Sequence, residues 1–284
     1  MMRRLLVTAP LALLAACSDD PVADCRGVCG NDNPLYAVSA MTFEGETSKD
    51  VSSGFDLDGV VGTSRPDCVA EDFTSPDGTK GIDNQLARLL PLLLQAIGEA
   101  FPTLIQNAIN DGGLSMLFEV VPPPEGETLP VLAFHRAKGT PLLDSSGALL
   151  SGQTFDVQDA APFAICHGAQ VEERRIRCGP FKLPLAIVVF GILYQLDFQQ
   201  ALIDVTFDEN GENAEIAVGG SLKLADIFNI TDNIENGPKN LTSLIHSVLP
   251  PLADTIGVET QECDEMSGAA HLKARVAFAM PMDD

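Results

Sequence analysis

Positive charge is scarce in this sequence: 17 Lys and Arg face 40 Asp and Glu, a net charge of −23. So acidic a surface repels phosphate backbones, which sets nucleic acid aside as a partner and leaves divalent cations and cationic ligands as the charges it would attract. Histidine is scarce as well. His135, His167, His246 and His271 are the whole supply, and none is spaced as HExxH or as another metal-binding pair. There is no Gly-x-Ser-x-Gly elbow for a serine nucleophile. Gly219-Gly220 follows a strand-like run but lacks the other glycines and the helix of a nucleotide loop. No repeat of fixed period is present, and the apolar segment from Leu5 to Ala16 is too short for a permanent membrane span.

What that N-terminal segment does offer is an export signal. Met1-Met2-Arg3-Arg4 forms a positive n-region ahead of the apolar stretch, which closes on Leu14-Ala15-Ala16-Cys17. This ending resembles the lipobox of bacterial lipoproteins. The resemblance implies cleavage before Cys17, a diacylglycerol on its sulfur, and an anchor that holds the protein in a membrane. Ser18 stands where an Asp would, in some bacteria, favour the inner membrane, so the outer membrane is the expected address.

Seven cysteines fit that route. With Cys17 taken by lipid, Cys25, Cys29, Cys68, Cys166, Cys178 and Cys263 remain, an even set in an oxidising compartment, and three disulfides are expected. Six cysteines allow fifteen pairings. Cys166 and Cys178 flank a polar stretch between two apolar runs, the layout of a stapled hairpin, while Cys25 and Cys29 lie close together in an acidic, Gly-containing leader.

Three regions follow: a signal over 1–16, a flexible tether over 17–34, and one α+β domain over 35–284. A helix is predicted from Asp83, an N-cap type, with Leu86, Leu90, Leu93, Ile97, Phe101, Leu104 and Ala108 on one face and with Pro91 and Pro102 kinking or dividing it. Leu241 to Leu252 reads as a shorter helix interrupted at Pro250-Pro251. Between them the period changes to two, and strands are predicted over Leu114 to Val121, Val131 to Lys138, Phe163 to Gln170, Leu183 to Phe198, Ala201 to Phe207 and Ala214 to Leu224, with a last one over His271 to Met280. Asp208-Glu209-Asn210-Gly211 is the firmest turn signal. The expected architecture is a mainly antiparallel, curved sheet packed against a proline-broken, Leu-rich helix.

Two constellations carry chemistry. Phe55-Asp56-Leu57-Asp58-Gly59-Val60-Val61 resembles the first motif of haloacid dehalogenase-like phosphatases. The resemblance implies Asp56 as nucleophile and Asp58 as general acid/base around Mg²⁺. The same residues also belong to a longer acidic run with Asp67, Asp72, Asp77, Asp83 and Asn84. Its Ser75-Pro76-Asp77-Gly78 to Asp83-Asn84 portion resembles extracellular calcium loops such as thrombospondin type 3 repeats. Hard oxygens at Asp56, Asp58, Asp72, Asp77 and Asp83 suit calcium, and turn formation with Asp83 capping the helix explains the same composition without an ion.

The leading expectation is a non-enzymatic envelope lipoprotein that binds an apolar ligand or a protein partner, with structural calcium as a further expectation. An apolar ligand would lie between the 86–108 helical segment and the sheet containing Leu183 to Phe207. A phosphatase using Asp56 and Asp58, and a purely structural surface lipoprotein, are the alternatives. The whole pattern is similar to that of secreted bacterial lipoproteins without catalytic residues.

Overall fold

A computed structural model describes residues 33–62, 68, 70–97, 101–123, 125–159, 161–189, 192–233 and 241–280. Cys17, Cys25, Cys29 and Asp67 therefore lie outside the described residues. Among the described residues, fifteen strands and four α-helices follow in chain order. They are β1 (Leu35–Phe43), β2 (Glu46–Ser48), β3 (Val51–Ser52), β4 (Phe73–Thr74), β5 (Lys80–Ile82), α1 (Leu86–Ile97), α2 (Phe101–Asn110), β6 (Met116–Val121), β7 (Val131–Lys138) and β8 (Thr154–Val157). After these come β9 (Ala164–Cys166), β10 (Gln170–Glu172), β11 (Arg175–Val189), β12 (Ile192–Phe207), β13 (Asn213–Lys223), α3 (Leu224–Asp232), α4 (Leu241–Val248), β14 (Thr255–Ile256) and β15 (Cys263–Ala279).

The expected α+β class is overturned. Strands make up 47% of the structure against 18% for helices, which makes the fold mainly β, and five strands close into a barrel instead of leaving an open curved sheet. The ring runs β1–β6–β7–β8–β15 and back to β1; β13, β12, β11 and β10 extend it beyond β15, β9 is added on β7 and β14 on β15. Closure depends on β15, which pairs with β1 from Phe43↔Ala270 to Leu35↔Ala277 and with β8 at Phe278↔Thr154 and Ala279↔Phe155; β15 also pairs with β13 from Lys223↔Glu265 to Asn213↔Arg275. Its first half, Cys263 to Ala270, is rich in small and polar residues and carries no alternating apolar signal, so only the later part reads as a strand.

Side-chain alternation on shared strands separates two interiors. Leu35 and Ala37 of β1 face the small barrel with Leu117, Phe155 and Val157, whereas Tyr36 and Val38 face the main core with Phe118, Phe134, Ile203 and Ile216. A third cluster joins α1, through Leu86, Leu89 and Leu90, to α3 and α4, through Leu224, Leu241 and Ile245.

That third cluster corrects the helix expectation. The Leu-rich α1 packs on α3, α4 and Met266 of β15 rather than on Leu183 to Phe207; of the predicted 86–108 helix, the part that enters the main core is α2, through Ile105 and Ile109. Pro102 occupies the first turn of α2, where its missing amide has no helical partner to lose. Leu183 to Phe198, expected as a single strand, contains the end of β11 and the start of β12. The two pair antiparallel down to Val189↔Ile192.

Among the described residues two disulfides are present, Cys166–Cys178 and Cys68–Cys263. The strand laddered to β11 near Cys178 is β10, not the one bearing Cys166. Cys166 sits on β9, which is hydrogen-bonded to β7, so this bond ties β7 and its neighbour to β11 across the main core.

Candidate functional sites

The acidic segment folds on a four-stranded sheet of order β2-β3-β4-β5, and Cys68–Cys263 ties it to the start of β15. Phe55 forms an antiparallel bridge with Asp83, whose backbone N–H donates to the Phe55 carbonyl at 2.8 Å. In return the Leu57 N–H donates to Asp83 Oδ2 at 2.7 Å. Asp56 and Asp58 close the next turn by accepting from the amides of Gly59, at 2.6 Å, and Val60, at 2.8 Å. Gly81 holds β5 against this loop. Its φ is +80°, and a Cβ there would stand 3.1 Å from the Val60 carbonyl and 3.7 Å from Asp56 Oδ2.

One carboxylate oxygen from each of Asp56, Asp58 and Asp83 lies within 4.8 Å of the others. Three acids at this separation offer a hard, oxygen-only ligand set of the kind Ca²⁺ takes. Asp72 lies close enough to raise the pKa of Asp83, and its own carboxylate accepts from the Gly62 amide. Asp77 does different work: it accepts from Thr79 N–H at 3.1 Å and from the Ser75 hydroxyl, which shapes the β4–β5 turn and holds its carboxyl below the usual range. The five residues expected as one ligand set thus divide into a converging trio, a neighbour and a turn former. Asp56 and Asp77 nevertheless share the walls of an open groove of about 620 Å³, with Arg175 and Arg177 also lining it.

Asp83 is not the helix cap. The first turn of α1 is instead met from β15, where the Ser267 hydroxyl accepts from Gln85 N–H at 2.9 Å and donates to Asp254. Asp83 and Asp254 are only 2% and 5% exposed. Burial pushes the Asp83 carboxyl up to about 8, with Asp254, Asp58 and Asp72 adding repulsion. Burial likewise lifts Asp254 to about 7, opposed by its bonds from Ser267. Sequence reading passed over Asp254, which follows an apolar run with no acidic neighbour to mark it.

The phosphatase resemblance would place Asp56 at the end of a buried apolar strand followed by a βαβ series of parallel strands. Among the described residues the parallel pairings are β3 with β4 and β8 with β15, and neither carries Asp56 or Asp58.

A second buried polar pair was missed. Glu119 and His135 lie on the barrel side of β6 and β7, with Oε2 and Nε2 3.4 Å apart and side chains 1% and 0% exposed. Glu119 Oε1 accepts from Asn33 at 2.8 Å, but neither His135 nitrogen has a hydrogen-bond partner. The signal was in the alternation: Leu117 and Glu119 share a face on β6, as do His135 and Ala137 on β7.

The second candidate site is a cavity of about 140 Å³ between the end of α2 and the sheet. Val38 and Met41 of β1, Ile109 of α2 and Leu185 of β11 supply apolar walls, and Arg136 and Gln158 add polar groups. Its rim is fixed at Gly112, where φ is +85° and a Cβ would fall 2.1 Å from the Gly139 carbonyl. No protein-family model, curated protein or solved structure matches this chain.

Proposed function

We propose that this chain is a non-enzymatic envelope lipoprotein, anchored in the outer membrane through Cys17, whose β body binds a small apolar ligand beneath α2. The observation that carries the ligand reading is the largely apolar cavity between Ile109 and Leu185, beside a core in which large side chains such as Phe118, Phe134 and Phe198 are fully buried. Its volume of about 140 Å³ is close to that of engineered apolar cavities, roughly 150 Å³, that take up benzene. Export and anchoring are supported by the Leu14-Ala15-Ala16-Cys17 ending and by the two disulfides, which persist in oxidising compartments. Replacing Cys17 with Ser is expected to leave the chain unprocessed or release it from the membrane fraction. A processed variant that stays membrane-bound rejects the anchor.

The ligand reading is tested with 1-hexanol. Titration is expected to move the methyl resonances of Met41 and Met116, which both line the cavity. Leu114→Phe, which adds bulk to the cavity wall, is expected to abolish those shifts. Methyl groups that stay still in the unsubstituted chain reject the cavity as a binding site.

Asp56, Asp58 and Asp83 favour a second element of this reading, a structural calcium ion in the acidic loop, because their oxygens converge within 4.8 Å. Thermal unfolding with Ca²⁺ and with chelator, at pH 6 and at pH 8, tests it.

A further inference from the structure

Arg136 is an unusual residue for its position. It follows Leu132 and Phe134 on the core-facing side of β7, where alternation calls for an apolar side chain. Among the described residues four cationic side chains are half-buried. Arg88 is beside Glu46 and Asp50, Lys223 beside Glu259 and Arg275 beside Asp144. The fourth, Arg136, has no carboxylate partner among the described residues, in a chain where 40 acids outnumber 17 bases. Its guanidinium instead lies over the Phe163 ring, 5.1 Å from the centroid, and both residues line the cavity beneath α2. A half-buried guanidinium with its hydrogen-bonding edge unpaired by acid is a site for a planar anion, because a carboxylate accepts two parallel N–H bonds from it.

We propose that the cavity takes a small amphipathic monocarboxylate, its apolar tail among Val38, Met41, Ile109 and Leu185 and its carboxylate on Arg136. This rests on the ligand reading above and names the ligand class. The volume of about 140 Å³ admits a tail of about six carbons, on the scale of the benzene-sized engineered cavity. A single cation matches a single negative charge, and the net charge of −23 disfavours a multiply charged anion such as a phosphate ester.

The test compares hexanoate, 1-hexanol and hexylamine, at constant ionic strength, on the purified full chain labelled at its methionine methyls. Met41 and Met116 report the cavity, and Met266, in the cluster with α1, reports the fold. Hexanoate is expected to bind at least tenfold more tightly than 1-hexanol, with hexylamine weakest. Arg136→Gln is expected to remove the hexanoate advantage while 1-hexanol binding persists, and Arg136→Lys to restore part of it with Met266 unshifted in both variants. Equal binding of hexanoate and 1-hexanol, or an advantage that survives in Arg136→Gln, overturns the carboxylate assignment and leaves the apolar cavity standing. If no probe moves Met41 or Met116, the cavity reading itself falls, and this inference with it.

Discussion

Asp83 and Asp254 are held at about 8 and about 7 in the folded protein, against an ordinary value of 3.8. Burial is the main cause at both, so the folded state binds their protons more tightly than the unfolded chain does. The stability they contribute is complete below about pH 4 and is lost as pH rises towards 8. Asp72 and Glu265 are shifted the same way, whereas Asp77 and Asp208 are held low and titrate below this window. In chelator the melting temperature is expected to fall from pH 5 to pH 8. Asp83→Asn, which mimics the protonated form, should flatten that slope. Calcium needs the ionised carboxylates, so the Ca²⁺-induced rise in melting temperature should be larger at pH 8 than at pH 6. A Ca²⁺ effect that is absent at pH 8 removes the ion and leaves the loop as turns. Asn84, beside Asp83, donates to the Glu44 carbonyl, the Ser52 hydroxyl and the Ser53 carbonyl and accepts from Ala269 N–H. Asn84→Ala strands several of these buried groups and is expected to cost on the order of 3 kcal/mol in urea unfolding.

At the scale of elements, legibility followed the range of the interaction. β7 was read at its observed bounds, Val131–Lys138, and the Asp208–Gly211 turn does join β12 to β13, because both signals are local: alternation in one case, turn residues in the other. β1 and the first half of β15 were not predicted as strands, since their strand character comes from pairing with distant chain: β1 with the later half of β15, and Glu265 to Ala269 of β15 with β13. The acidic trio was legible as residue types. So was turn formation at Asp77, one of the two readings given to that segment; the burial of Asp83 was not, because it depends on what the fold packs around it. The Cys166–Cys178 pairing was legible from its flanking runs, and it has a mechanical consequence that the structure adds. It joins β9 to β11 across the main core, closing a loop whose sequence separation is 12 residues. Cys166→Ser with Cys178→Ser is expected to cost about 3 kcal/mol through the freed loop alone. Hydrogen exchange should quicken in β10 and the first residues of β11, while β13 and β15, held by their own long ladder, keep their protection. Uniform loss of protection would instead mean that this bond holds the whole fold.

Over the whole molecule the net charge of −23 acts as a long-range repulsion that the folded state concentrates and the unfolded chain dilutes. Salt screens it, with a Debye length of about 10 Å at 0.1 M, so NaCl alone is expected to raise the melting temperature. This background sets the standard for any ion-specific claim. Divalent cations screen more strongly than sodium at equal concentration, so a bare increase with Ca²⁺ says nothing about a site. The comparison must hold ionic strength fixed and set Ca²⁺ against Mg²⁺, which demands a tighter octahedron and gives up its water less readily. A site built by Asp56, Asp58 and Asp83 predicts a Ca²⁺ increment above both the NaCl and the Mg²⁺ curves, saturating with concentration as ligand binding to the folded state requires. Asp58→Asn removes one charge from the converging trio but hardly alters the global repulsion, so it should abolish the saturating increment while leaving the NaCl response almost unchanged. If Asp58→Asn leaves the Ca²⁺ curve as it was, or if Ca²⁺ and Mg²⁺ coincide in the unsubstituted chain, the stabilisation is screening and the three carboxylates hold no ion.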